Sequence, residues 1–123
     1  MKDNDLYSLL SSLVSTYSVS GSERGIVDFL DRELTRLGFS TERMESGSIC
    51  GVLCGDRPGP TVLLDAHIAT VTVPDKSKWT HDPFSLTRDN GRLYGRGTSD
   101  MKGGLAAIIA GASEFVGRSF PGR

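Results

Sequence analysis

The feature that most constrains the fold of this 123-residue chain is an apolar run at 61–67 (TVLLDAH) that follows a glycine- and proline-rich turn. Such a run is typical of a strand that is buried on both faces of a sheet. A later segment of small and branched apolar residues, 103–116, predicts a helix that packs closely on that sheet. The two segments therefore favour an α/β architecture.

Two amphipathic helices are predicted before the strands. Asn4 or Asp5 is expected to cap the first helix, and Ser20 and Glu23 have the spacing of a capping box for the second. Gly38 is expected to end the second helix. The apolar stripes are Leu6, Leu9, Leu10, Leu13, Val14 and Tyr17 in the first helix, and Ile26, Phe29, Leu30, Leu34 and Leu37 in the second.

Further strands are predicted at 39–45 and 48–55, and 85–95 reads as a hairpin whose two-residue turn is Asn90-Gly91. With the two helices and the crossover helix, these elements predict a partial three-layer sandwich. Its sheet is expected to be mixed and partly parallel, with helices on its faces.

Charge and composition exclude several classes of partner. The formal net charge is −1, which argues against nucleic acid and anionic membranes, because both favour a basic surface. No run approaches the roughly 18–20 apolar residues that span a bilayer, and the acidic, serine-rich start does not resemble a signal peptide. We therefore predict a cytoplasmic protein. Cys50 and Cys54 are interpreted as small buried hydrophobic residues in a reducing compartment.

Two side chains are candidates for metal binding. His67 ends the predicted strand at 61–67, where open α/β sheets form ligand crevices, and Asp100 follows a glycine-rich loop and precedes a helix. An imidazole is a good zinc ligand, and a carboxylate can bridge two cations. Taken alone, one histidine and one aspartate also fit a purely structural role, and both interpretations stay open on this evidence.

The order of the motifs adds a resemblance. The segments His67 to Val71, Trp79 to Phe84, Gly91 to Gly97 and Ser99 to Gly104 follow one another with a characteristic spacing. In this the chain resembles the co-catalytic zinc exopeptidases and deacylases, which include acetylornithine deacetylase, succinyl-diaminopimelate desuccinylase, aminoacylase and glutamate carboxypeptidase. The sequences of two segments, LLDAH (63–67) and WTHDPF (79–84), are similar to those of the branch of hydrolases linked to selenium metabolism.

The resemblance implies that His67 ligates one metal and that Asp100 bridges two. It implies two Zn²⁺ per intact site, with Co²⁺ or Mn²⁺ as alternatives, and an amide substrate, either a peptide or an N-acyl amino acid. It also implies that 1–123 form the N-terminal portion of a catalytic domain, without the lid domain and the C-terminal portion. The supporting loop would comprise Gly95, Arg96, Gly97, Ser99, Lys102, Gly103 and Gly104.

The chain departs from the family pattern at Ala69, where an aspartate that orients the ligand histidine is expected. Asp65 lies on the same face of the predicted strand and is a candidate substitute. Weak or absent metal binding is therefore expected from these residues. No general base is identifiable either, because Glu114 is the one carboxylate after Asp100 and is expected to be a surface charge.

Other side chains near the motifs have simpler expected roles. His81 is predicted to be exposed or packed on Trp79, rather than a ligand, and Trp79 and Phe84 are predicted to be core residues. Lys102 is expected to form a salt bridge that stabilises the loop, with a substrate contact as the alternative. Tyr94 and Arg96 are expected to brace the loop that carries Asp100.

Three functional hypotheses follow. The chain is part of a metal-dependent amide hydrolase but an incomplete and inactive piece of one, or half of a split enzyme that needs a complementing polypeptide. Alternatively, it is a non-catalytic pseudoenzyme or docking module that uses an open sheet edge. If the chain is part of an amide hydrolase, small-molecule or peptide substrates are expected. If it is a docking module, the sequence indicates no particular partner.

Overall fold

The computed structural model describes all residues, 1–123. Three α-helices are present: α1 at Asp3–Ser15, α2 at Arg24–Leu37 and α3 at Gly103–Ser113. The four strands are β1 at Ser40–Arg43, β2 at Ile49–Val52, β3 at Thr87–Asp89 and β4 at Arg92–Tyr94. The chain is thus a small α/β structure. None of its helices has the length and apolar character needed to cross a membrane.

The apolar stripes of the helices form the core, as their spacing predicts. One cluster contains Leu9, Leu10, Leu13 and Val14 of α1, Ile26, Leu30 and Leu34 of α2, Leu105, Ala106 and Ile109 of α3, with Phe39 and Leu86 from the connecting segments. The predicted stripes extend slightly too far, because Tyr17 is exposed and Leu6, Phe29 and Leu37 are partly buried.

The helix ends agree with the sequence in part. Gly38 ends α2 in the left-handed region at a φ of 100°, as predicted. The capping box at Ser20 is wrong, because Glu23 is the N-cap and its carboxylate instead accepts a hydrogen bond from the backbone N–H of Gly21. Helix α1 begins one residue before the predicted caps, at Asp3.

The sheets are smaller than predicted. Strands β1 and β2 form one antiparallel pair, and β3 and β4 form another. The second pair is the predicted hairpin, and its turn residues Asn90 and Gly91 have φ values of 46° and 76°, as a two-residue hairpin turn requires. The single mixed, partly parallel sheet is not confirmed. Parallel pairing is limited to isolated bridges between Val19 and Thr70 and between Arg57 and Pro121.

The predicted strand at 61–67 does not form as a strand in this structure. Strand pairing needs a partner backbone, and the described chain offers this segment only a single backbone–backbone hydrogen bond, near its start, from the Val62 N–H to the Arg123 carbonyl. Val62, Leu63 and Leu64 are consequently exposed. The prediction of buried cysteines is also wrong, since Cys50 is only partly buried in β2 and Cys54 is exposed beyond it.

Candidate metal centre

The structure brings His67 and Asp100 together although 33 residues separate them in the chain. The Nε2 atom of the imidazole lies 2.7 Å from Oδ1 of the carboxylate. Both side chains face solvent, with 51% of the histidine side chain and 86% of the aspartate side chain exposed. The two groups that the sequence singled out therefore share one accessible location.

The second nitrogen of the His67 ring is also occupied. Its Nδ1 lies 2.9 Å from the backbone carbonyl oxygen of Ala69. The hydrogen bond with Asp100, and secondly the one with the Ala69 carbonyl, raise the pKa of His67 above its usual value. Neither ring nitrogen bonds Asp65, so the hypothesis that Asp65 replaces the missing aspartate receives no support from the geometry.

The segment that carries His67 is fixed to the chain just after α1. The N–H of Thr70 donates to the carbonyl of Ser18 at 2.8 Å, and the N–H of Ser20 donates to the carbonyl of Thr70 at 3.2 Å. Thr70 and Ser18 are both buried. This short parallel pairing holds the segment at the end of α1 without a regular sheet.

Asp100 is presented by the turn Thr98–Lys102, which leads directly into α3. The turn begins after Gly97, whose φ of 86° is left-handed, and the backbone N–H of Lys102 donates to the Gly97 carbonyl at 2.7 Å. Inside the turn, Asp100 and Met101 leave helical geometry, with φ values of −136° and −133°. The carboxylate of Asp100 therefore projects away from α3 toward His67.

The prediction of a salt bridge for Lys102 is wrong. Its Nζ contacts no carboxylate and donates instead to the backbone carbonyls of Leu13 at 2.6 Å and Thr16 at 2.9 Å. The side chain is only 2% exposed, which also excludes a direct contact with a substrate in this conformation. Burial lowers the pKa of Lys102 to about 8.

The supporting loop divides into two parts. Four of its residues, Gly95, Arg96, Gly97 and Ser99, line an open cavity together with His67, Ala69, Thr70, Trp79, Tyr94 and Asp100. Gly103 and Gly104 instead form the first turn of α3 and do not line the cavity. Part of the loop predicted from the sequence thus lines the cavity, and part of it belongs to α3.

Aromatic contacts shape the rim of this cavity. The guanidinium carbon of Arg96 lies 4.8 Å from the ring centre of Trp79, and its Nη2 donates to the Thr72 carbonyl at 3.3 Å. His81 packs on Tyr94, with ring centres 4.4 Å apart, and not on Trp79. Trp79 and Phe84 are only partly buried and lie outside the core cluster, so their prediction as core residues is wrong.

One imidazole and one carboxylate fit the ligand chemistry of zinc or a similar divalent cation. No third histidine, cysteine or carboxylate joins them in a group able to hold a metal. Because zinc normally takes four ligands, a cation bound by these two side chains would keep about half of its coordination sphere open. These residues therefore suit part of a metal site and not a complete one.

Comparison with known proteins agrees with this architecture. The model of the peptidase family M20/M25/M40 matches residues 63–122, the stretch that carries His67, Asp100 and the cavity. The chain is similar to this family and covers the N-terminal portion of its domain. The expected resemblance to zinc exopeptidases and deacylases is thereby confirmed, whereas the selenium-linked branch stays a prediction.

Curated relatives match along nearly the whole chain. A succinyl-diaminopimelate desuccinylase of Legionella pneumophila is 36% identical over 122 residues, covering 97% of this chain and 32% of the relative. Succinyl-diaminopimelate desuccinylase 1 of a Ruegeria species is 40% identical over 119 residues, covering 94% and 31%. The chain thus spans about a third of the length of these relatives.

Solved structures show the same relationship. An M20 family metallo-carboxypeptidase from Sulfolobus solfataricus superposes with a TM-score of 0.73 at 26% identity, over 94% of this chain and 28% of that one. Human carnosine dipeptidase 1 has a TM-score of 0.69 at 23% identity, over 91% and 28%, and supports the fold alone. The chain thus has the fold of the corresponding part of these structures.

Proposed function

We propose that this chain forms one wall of a two-metal site that hydrolyses amide bonds, in which His67 ligates one cation and Asp100 bridges both. The observation that carries the proposal is the 2.7 Å approach of Nε2 of His67 to Oδ1 of Asp100 in an open cavity. The substrate class is a peptide or an N-acyl amino acid. The desuccinylases and the metallo-carboxypeptidase among the relatives support this choice.

The residues of the chain have distinct parts in such a site. The carbonyl of Ala69 holds the ring of His67 through Nδ1 and leaves Nε2 directed at the cation position. Asp100 has one oxygen beside His67 and a second free for another cation. Two divalent cations, when bound, lower the pKa of water and polarise an amide carbonyl.

The described residues cannot complete this chemistry. They supply two of the donors and no carboxylate placed as a general base, since Glu114 is engaged with the N-terminal amine and Arg118 on the surface. We propose that further ligands and the base come from polypeptide outside these residues, in the same chain or in a complementing one. Zn²⁺ is the expected metal, and Co²⁺ and Mn²⁺ are alternatives.

The finer architecture is part of the same proposal. We expect the segment 61–67 to become a strand of a mixed, partly parallel sheet, flanked by helices in a three-layer sandwich, once neighbouring strands are present. The parallel bridges at Thr70 and at Arg57 support this expectation, because they lie on either side of 61–67 and each pairs the chain in the parallel sense. The neighbouring strands and helices would then bury the apolar side chains of 62–64, which are exposed here.

The proposal is tested by titrating the protein with Zn²⁺ and following the imidazole nitrogens in a sample labelled with ¹⁵N-histidine. The chain has two histidines, so His81 is an internal control. We expect Zn²⁺ to shift Nε2 of His67 alone. His67→Ala and Asp100→Ala should each weaken the affinity at least about tenfold, whereas His81→Ala should not. Zinc binding that survives both substitutions would contradict the proposal.

A second candidate function, a docking module, rests on a different observation. Val62, Leu63 and Leu64 are 67%, 80% and 55% exposed, which is a continuous apolar stretch with unpaired backbone groups beside it. Recovery of the protein as a stable monomer that binds zinc but no other polypeptide would exclude this candidate and the split-enzyme form of the first.

A further inference from the structure

Lys102 is the most deeply buried charged side chain of the molecule, and the site described above does not use it directly. It is 2% exposed, and its Nζ donates to the carbonyls of Leu13 and Thr16. An ammonium is costly to bury unless hydrogen bonds compensate it. Its place in the fold therefore needs an explanation in terms of what it holds.

The two acceptors lie at the C-terminal end of α1, which carries no basic residue of its own in its last turn. The last carbonyls of a helix lack intrahelical partners and form the negative end of its dipole. Lys102 supplies both the missing donors and a positive charge there. Lys102, which is 89 and 86 positions from Leu13 and Thr16, thus satisfies carbonyl groups at the C-terminal end of the first helix.

The backbone of Lys102 lies two residues after Asp100 in the chain, within the same turn. The carboxylate of Asp100 is 86% exposed, and its one hydrogen bond within the chain goes to His67. It has no buried contact that fixes its own position. The stem of Lys102 runs beside Gly97, where a Cβ atom would lie 3.2 Å from its Cδ. The side chain of Lys102 therefore attaches the turn to the C-terminal end of α1.

The partner of Asp100 is anchored at the same place. The segment of His67 is tied through Thr70 to Ser18 and Ser20, directly after α1. Both halves of the His67–Asp100 pair consequently depend on the end of one helix, and Lys102 is the side chain that connects the Asp100 half to it.

We propose that Lys102 is a positioning residue, which holds Asp100 opposite His67 by clamping the turn Thr98–Lys102 to the C-terminal end of α1. The proposal rests on the proposed function, because the position matters for a metal held between the two side chains. It requires the ammonium donors, and an apolar side chain of similar length would fill the same space without fixing the turn.

The test compares Lys102→Met with a core variant of matched thermal stability, chosen from Ile26→Val and Leu30→Ala. In the metal-free protein we expect the through-space NMR contact between the His67 ring and the Asp100 side chain to be lost in Lys102→Met and retained in the core variant. With Zn²⁺ alone as the probe, we expect about a tenfold loss of affinity in Lys102→Met and less than about a twofold loss in the control.

Retention of the His67–Asp100 contact in a folded Lys102→Met protein would overturn the inference, whether or not zinc binds. Zinc binding by the wild-type protein that does not involve His67 would instead overturn the proposed function, so the two failures are distinguishable. Should Lys102→Met not fold, Lys102→Gln takes its place, since its amide can still donate to one carbonyl. We then expect a weakened contact, and an unchanged one would count against the inference.

Discussion

The imidazole Nδ1 of His67 lies 2.9 Å from the backbone carbonyl oxygen of Ala69, at the position where the family pattern has an aspartate side chain. A histidine that ligates a metal commonly donates its other N–H to a carboxylate or a backbone carbonyl. The main chain of Ala69 thus supplies an acceptor that the side chain cannot. The departure at this position removes a charge but not the hydrogen bond.

Ala69→Asp should therefore change zinc affinity little. Loss of a partner that orients a ligand typically costs about 10–100-fold in metal affinity, but here the acceptor is already present. We expect a gain of less than about threefold from Ala69→Asp, measured by Zn²⁺ titration. Ala69→Asn is the uncharged control. A gain above about tenfold that is specific to the aspartate would show that the carbonyl does not replace a carboxylate.

Asp65→Ala should leave zinc affinity within about twofold of the wild type, because the ring nitrogens of His67 contact Ala69 and Asp100 and not Asp65. The same Zn²⁺ titration measures it. A clear loss of affinity would restore Asp65 as the substitute for the missing aspartate.

Local sequence signals predict local structure well in this chain. The Asn90-Gly91 turn and the left-handed Gly38 depend on backbone freedom within a few residues, and both form as predicted. The helical stripes succeed because their period brings the apolar side chains to one face. The pairing of His67 with Asp100 follows only from the order of the family motifs.

Features that depend on distant partners were not predictable in this way. The segment 61–67 has the composition of a buried strand, but a strand exists only where another backbone pairs with it. Lys102 contacts main-chain carbonyls of α1, and no residue type in the sequence marks a carbonyl as an acceptor. The contact between the Ala69 carbonyl and the His67 ring could not be predicted from the sequence for the same reason.

Acid should destabilise the protein partly through Asp31. Hydrogen bonds from the Thr41 hydroxyl at 2.7 Å, and then from Arg43, hold the pKa of Asp31 below its usual value. Because the folded state binds this proton less readily than the unfolded state, the stabilisation is complete above about pH 4 and is lost as the pH falls further.

The expected result is a smaller loss of stability between about pH 5 and about pH 2.5 in Asp31→Asn than in the wild type, measured by urea unfolding. Thr41→Val removes one of the two donors and should have an intermediate slope. Parallel curves for Asp31→Asn and the wild type would contradict the assignment of this acid dependence to Asp31.

The exposed apolar stretch should make the protein of residues 1–123 self-associate. Leu63 and Leu64 are 80% and 55% exposed, beside backbone groups that lack strand partners. The double variant Leu63→Gln, Leu64→Gln should shift sedimentation toward the monomer across a concentration series. Leu93→Gln, in the hairpin and 37% exposed, is the control. Equal association of all three proteins would place the contact elsewhere.

Gly97→Ala should destabilise the protein and loosen the turn that presents Asp100. Gly97 has a φ of 86°, and an added Cβ would lie 2.9 Å from Cγ2 of Thr70 and 3.2 Å from Cδ of Lys102. A left-handed non-glycine residue alone costs about 1–2 kcal/mol, and the close contacts add to that cost. We expect a loss of about 2 kcal/mol in the free energy of unfolding, measured by urea titration.

Gly111→Ala is the matched control for Gly97→Ala. Gly111 lies within α3, and a Cβ there would meet nothing within 4 Å. Alanine should therefore stabilise the helix by roughly 0.5–1 kcal/mol, because glycine loses more backbone entropy on folding. Opposite signs for the two substitutions would tie the cost at Gly97 to its conformation and its neighbours. A neutral Gly97→Ala would show instead that the turn can relax, and the position of Asp100 would then not require a glycine at residue 97.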